Sequence, residues 1–218
     1  MFVAKAFGIQ AATVGRMDAA DSLIELPLPD AQLQFDPHWL GPLEADRLLA
    51  ALRSDVPWDV HRIRIFGREV DSPRLSCWIG DPDARYRYSG TLFEPNPWPD
   101  ALRPVRERLQ RTLGVDFNSV LANLYRDGND AMGWHSDAEP ELGPAPVIAS
   151  ISLGATRRFA LKHRDDPARK LAIDLPHGSL LVMSGQTQRH YRHALPRTTR
   201  QIGPRINLTF RRILAPTR

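Results

Sequence analysis

The sequence predicts an α+β chain: a β-sandwich or jelly roll with two helices packed outside it. Three observations carry this. From Phe117 onward the chain reads as six short runs, SVLANLYR, PVIASISLG, RRFALKHR, KLAIDLP, GSLLVMSG and RINLTFRRI, each β-branched or alternating. Several are bounded by Gly, Asp or Pro, and no helical spacing separates them, which argues for sheets packed on each other. Both helical patterns come earlier in the chain, so the helices should buttress one sheet. At 218 residues with 42% hydrophobic content, the chain is long enough for one sizeable core.

Taken in order, residues 1–30 read as an N-terminal extension. The first 16 lack acids, carry Lys5 and Arg16, and have no unbroken apolar run of the secretory kind; Met17 is an alternative start. Residues 31–218 form one domain, since no linker divides them. Gly41-Pro42 opens a helix with apolar Leu43, Leu48, Leu49 and Leu52, stopped before Pro57. RIRIFGREVDSPRLSCWIG alternates and turns at Gly67, a hairpin signal. PWPDALRPVRERLQRTLGV is the second helix, with Asp100 as N-cap and Gly114 as stop. The strand-rich core then covers about 117–213.

Charge and cysteine narrow the function classes. Net charge is +4, and Lys5, Lys162 and Lys170 are the only lysines among 29 basic residues. Arginine suits forked contacts to phosphate or carboxylate. Cys77 is the single cysteine, which removes intrachain disulfides and cysteine-based zinc sites. No apolar run approaches a membrane span. A cytoplasmic monomer is expected.

The chemistry concentrates in two places. In GWHSDAEPE, His135 and Asp137 are two residues apart, the same-face spacing of a strand, so both can bind one metal. RHYRHALPR offers His190 and His193 as a third ligand. Two His and one carboxylate leave open positions for substrate and oxygen on non-haem Fe(II), with zinc the competing metal. The segment PRINLTFRRI favours iron. Arg205, Asn207, Thr209 and Arg211 alternate with Ile206, Leu208 and Phe210, which puts two guanidiniums, an amide and a hydroxyl on one face. A dicarboxylate such as 2-oxoglutarate would satisfy both arginines, each gripping one carboxylate.

These motifs together, NLYRDGNDAMGWHSDAE, PHGSLLVMSG and PRINLTFR, resemble the AlkB-type 2-oxoglutarate/Fe(II) dioxygenases, the alkylated nucleic-acid repair family, from about Phe66 to Ile213. The resemblance implies a double-stranded β-helix core. It makes His135, Asp137 and His193 the iron ligands and catalytic centre, with His190 outside. It assigns Arg205 to the distal carboxylate of 2-oxoglutarate and Arg211 to the carboxylate nearer the metal. Asn123, Tyr125, Asn207 and Thr209 complete the co-substrate site. The implied reaction uses Fe(II), 2-oxoglutarate and O2 to hydroxylate an N-methyl group, which leaves as formaldehyde while 2-oxoglutarate becomes succinate and CO2.

Substrate recognition is expected in a lid over about 60–95. Phe66, flanked by arginines at the hairpin tip, resembles the wedge of the duplex-repairing branch. Tyr86 and Tyr88 would stack on the target base, with Ser89 nearby and Arg74 on phosphate or base. Glu139 would face the exocyclic amine or cationic ring of a base such as 1-methyladenine or 3-methylcytosine; the duplex-repairing branch tends to carry a second acid where this chain has Ala138. Met132 and Trp134 are read as pocket wall or core. The partner is alkylated DNA, single- or double-stranded, or RNA. An RNA demethylase, or another 2-oxoglutarate oxygenase of this fold, is the first alternative. A non-catalytic jelly-roll nucleic-acid-binding module is the second.

Overall fold

The computed structural model describes residues 23–60, 62–65, 68–88 and 91–214, with residues 62–65, 68–69, 86–88 and 91–93 described by backbone alone. Strand β1 (Ile24–Glu25), inside the stretch read as an extension, already pairs with β2 (Gln32–Asp36). Helix α1 (Pro42–Asp55) follows, with proline at its start, where a missing N–H costs nothing, and its end at Val56 before Pro57. It buries Ala45, Leu48 and Leu52 but leaves Leu43 74% exposed, against the expected stripe. Leu43 lies about 200° around the helix from Ala45, so both cannot face the core.

The hairpin of β3 (Arg62–Ile65) and β4 (Arg68–Asp71) matches the sequence signal. Strand β5 (Leu75–Gly80) does not belong to it: β5 is an edge of the main sheet. A second small hairpin joins β6 (Tyr86–Tyr88) and β7 (Thr91–Phe93). Helix α2 (Arg103–Leu113) is preceded by a 3₁₀ turn at Asp100–Leu102. Asp100 caps nothing; it sits a turn too early and pairs with Arg103 at 3.3 Å. Gly114, at φ 66°, ends the helix as expected, its N–H donating to the Gln110 carbonyl.

All six runs are strands: β8 (Ser119–Tyr125), β10 (Ile148–Gly154), β11 (Arg157–His163), β12 (Lys170–Leu175), β13 (Ser179–Ser184) and β15 (Arg205–Arg211). Between them lie β9 (Met132–His135), the one-turn helix α3 (Thr187–His190) and β14 (Tyr191–Leu195). A seven-stranded sheet runs β1-β2-β13-β10-β15-β8-β5, and a four-stranded sheet runs β12-β11-β14-β9. Both helices pack on the outside of the larger sheet, against Val120, Ala122, Ile206, Leu208 and Phe210. The smaller sheet covers its other face. The site lies between the two sheets.

Candidate active site

His135 ends β9 and His193 lies in β14, and the two are direct register partners. Their Nε2 atoms are 3.1 Å apart. Asp137 follows just beyond β9, with carboxylate oxygens 3.9 Å from each Nε2. Cis ligands about 2.1 Å from a metal are about 3.0 Å apart, so two imidazoles and a carboxylate at this spacing fit one ion. His135 Nδ1 is 2.8 Å from the Gly133 carbonyl, an arrangement that places the proton on Nδ1 and leaves Nε2 free to ligate. His193 is buried, and burial lowers its pKa to about 3, keeping a neutral imidazole. Burial would raise the Asp137 pKa, but the Arg211 guanidinium and the two imidazoles outweigh it and hold the pKa at about 2. Neutral imidazole and charged carboxylate are the forms a metal requires.

Asp137 is fixed from two sides. Its backbone N–H donates to Gln188 Oε1 of α3 at 3.0 Å, and Arg211 Nη2 donates to its Oδ1 at 2.8 Å. No sequence pattern points to Gln188, because the bond joins residues 51 apart in the chain.

Strand β15 turns Arg205, Asn207, Thr209 and Arg211 into the same cavity. Arg205 Nη2 donates to Ser152 Oγ and Asn207 Oδ1, each at 2.9 Å, and Asn207 Nδ2 donates to Thr209 Oγ1 at 2.7 Å. Ser150 and Ser152 reach this face because β10 pairs with β15 in register, which isolated alternation could not reveal. Arg205 Nε is buried and bonded to nothing among the described residues. Burial lowers the Arg205 pKa to about 10, opposed by the adjacent Tyr125, so the guanidinium stays charged at neutral pH. The Tyr125 ring has the Arg205 guanidinium 5.3 Å from its centroid and that of Arg157 at 5.8 Å. A buried cation with an unsatisfied donor beside three metal-type ligands can receive an anionic ligand that also reaches the ion.

Other expected residues take different places. Asn123 lines the cavity, and its Oδ1 accepts a 2.7 Å bond from Arg74 Nε. Arg74 is buried, with Nη1 on Ser72 Oγ at 2.9 Å, so it is directed inward at Asn123 and away from solvent. Glu139 Oε2 is buried with no hydrogen-bond partner among the described residues. Met132 lines the cavity, while Trp134 points outward and is exposed, which removes it from both wall and core. His190 stacks on His163, apart from the three ligands. Phe66 and Ser89 lie outside the described residues, and so do the side chains of Tyr86 and Tyr88.

The profile of the 2OG-Fe(II) oxygenase superfamily matches residues 32–211. The chain belongs to that superfamily. Human "alpha-ketoglutarate-dependent dioxygenase alkB homolog 3" is 41% identical over 81% of this chain, which spans 64% of that protein. Mouse "DNA oxidative demethylase ALKBH2" is 39% identical over 82% of the chain, which spans 78% of it. These relatives make the chain an AlkB-type dioxygenase. A solved structure described as "The structure of OsALKBH1" superposes with a TM-score of 0.58 at 18% identity, covering 87% of this chain and 99% of that one, a likeness of fold. Fe(II), 2-oxoglutarate and O2 are the requirements of the superfamily, and the three-ligand cluster with Arg205 beside it suits them.

Proposed function

We propose that this protein oxidatively dealkylates N-alkylated bases in DNA, such as 1-methyladenine and 3-methylcytosine, releasing formaldehyde, succinate and CO2. One observation carries the reading. A His-Asp-His cluster and a buried arginine with a free donor open into a single cavity. The names of the relatives, dioxygenase and DNA oxidative demethylase, support it.

Iron, 2-oxoglutarate and O2 together supply an oxidant able to hydroxylate a C–H bond. His135, Asp137 and His193 hold the iron. Arg205 takes the distal carboxylate of 2-oxoglutarate, adding its free Nε–H to the grip, with Asn207 and Thr209 fixing the fork from below. Arg211 holds Asp137 and presents its charge to the carboxylate nearer the metal. The Arg74 bond occupies Asn123 Oδ1, which leaves the amide N–H groups to donate, alongside the Tyr125 hydroxyl. Leu121, Met132, Phe159 and Leu195 wall the cavity with apolar surface and exclude water. Glu139 offers its unpaired oxygen to the amine or positive charge of an N1- or N3-alkylated ring. Phe66 would fill the gap left by a flipped base, and Tyr86, Tyr88 and Ser89 would hold that base. The hydroxymethyl O–H then gives up its proton to water, its electron pair forms the C=O bond as the C–N bond breaks with its pair on the base nitrogen, and formaldehyde departs.

The test uses purified protein with Fe(II), 2-oxoglutarate and ascorbate on matched single- and double-stranded oligonucleotides, DNA and RNA, each with one 1-methyladenine. The expected result is loss of the methyl group with stoichiometric formaldehyde and succinate, abolished in His135→Ala. Turnover on RNA alone would move the assignment to RNA. Binding of 2-oxoglutarate with every lesion intact would remove the nucleic-acid assignment.

A further inference from the structure

The outer face of the four-stranded sheet carries charge that the cavity does not use. Phe159 and His193 point inward, so strand alternation turns Lys162 and Arg192 outward. Register sets Lys162 directly opposite Lys170 on β12 and directly opposite Arg192 on β14. Three cations therefore stand side by side on adjacent strands about 4.8 Å apart. Like charges at opposed positions destabilise a sheet. The outward positions of β11 and β12 include one carboxylate, Asp174, and Arg158 engages it at 3.1 Å.

One register step off the row, on the edge strand β9, stands an exposed aromatic ring. Trp134 immediately precedes the ligand His135, points the opposite way, and is 45% exposed. Lys162 Nζ lies 4.2 Å from its ring centroid, which requires the lysine to span β14. Beside the row, Ala160 is register partner to both Ala172 and Ala194, so the neighbouring surface is low and flat. Since β9 is the edge of its sheet, a chain leaving the cavity reaches this face by rounding one strand.

We infer that this face is a rail for the phosphate backbone of the nucleic acid whose target base enters the cavity. Lys162, Lys170 and Arg192 take successive phosphates, and Trp134 is a stacking platform for a flanking base. The inference rests on the nucleic-acid reading of the site. Cations in register, one of them in contact with an exposed aromatic ring, suit a polyanion with exposed bases; an anionic membrane would call for several apolar anchors, and this face presents one.

The experiment measures anisotropy of unmodified labelled 20-mers, single and double stranded, bound to the full chain between 50 and 300 mM salt. The triple variant K162E/K170E/R192E and the single variant W134A are compared with wild type. The triple variant should lose at least ~10-fold in affinity at low salt. The slope of log K against log salt should fall by about 2 to 3, roughly one for each phosphate that no longer has a cation. W134A should weaken single-strand binding about 5-fold or more with the slope unchanged. Turnover on a methylated trinucleotide should stay at the wild-type level in both. Unchanged affinity and slope in a triple variant of wild-type melting temperature would overturn the rail. If the variants lose oligonucleotide binding while wild type leaves every methylated base intact, the rail stands and the dealkylation reading falls.

Discussion

Among single residues, Arg205 tests the co-substrate site most directly. Its guanidinium is committed on one side to Ser152 and Asn207, and its Nε is the donor left over. Lysine keeps the charge but not the planar fork. Arg205→Lys should therefore raise KM for 2-oxoglutarate about 10-fold or more while kcat changes less, since a charge-assisted hydrogen bond is worth about 1.5–3 kcal/mol. An unchanged KM in initial-rate assays would mean that no carboxylate docks there. Alternation alone marks Arg205 and Arg211 in the sequence. It cannot show that Arg74 faces inward onto Asn123, because that partner lies 49 residues away.

At the next level up, the loop between β8 and β9 joins the strand carrying Asn123 and Tyr125 to the one ending at His135, and it is held closed by polar and ionic contacts. Asp130 accepts bonds from the Arg126 backbone N–H at 2.9 Å and from its guanidinium at 2.8 Å. Arg157, buried at the start of β11, donates to the carbonyls of Asp127, Asp130 and Pro196 at 3.1, 2.9 and 2.7 Å. One side chain thus ties this loop to the segment after β14. Arg157→Met keeps much of the stem but strands those carbonyls, and should destabilise the protein by about 3 kcal/mol in urea unfolding. A loss under ~1 kcal/mol would show that Asp130 closes the loop unaided. A charged residue opening a strand reads in sequence as an ordinary surface position, so this clamp has no local signature.

Across the molecule, the site sits between two sheets that the unfolded chain does not possess, so ligands of the site bind only the folded state. Mn(II), which cannot support turnover, with 2-oxoglutarate at about 100 times its Kd should add about 2.7 kcal/mol of stability. For a chain of this size that raises Tm by roughly 5–10 °C, and chelator should reverse it. The shift should need both components, because in the proposed site Arg205 would take one end of the dicarboxylate and the metal the other. Equal stabilisation by 2-oxoglutarate without metal, read by differential scanning fluorimetry, would separate the two sites.

The six core strands, the His135-x-Asp137 pair and the one-sided polar face of β15 are legible in the chain alone, because period-two alternation and short spacing are local properties that survive without a fold. Leu43, Asp100 and Trp134 are not, since their burial or capping depends on which neighbour a side can reach. The choice of His193 over His190 follows from pairing β14 with β9, so that His193 stands opposite His135 while His190 stacks on His163. The same folding brings Gln188, Ser150, Ser152 and Arg157 to the site. Their positions follow from strand register and loop closure across long stretches of chain, which no local pattern encodes.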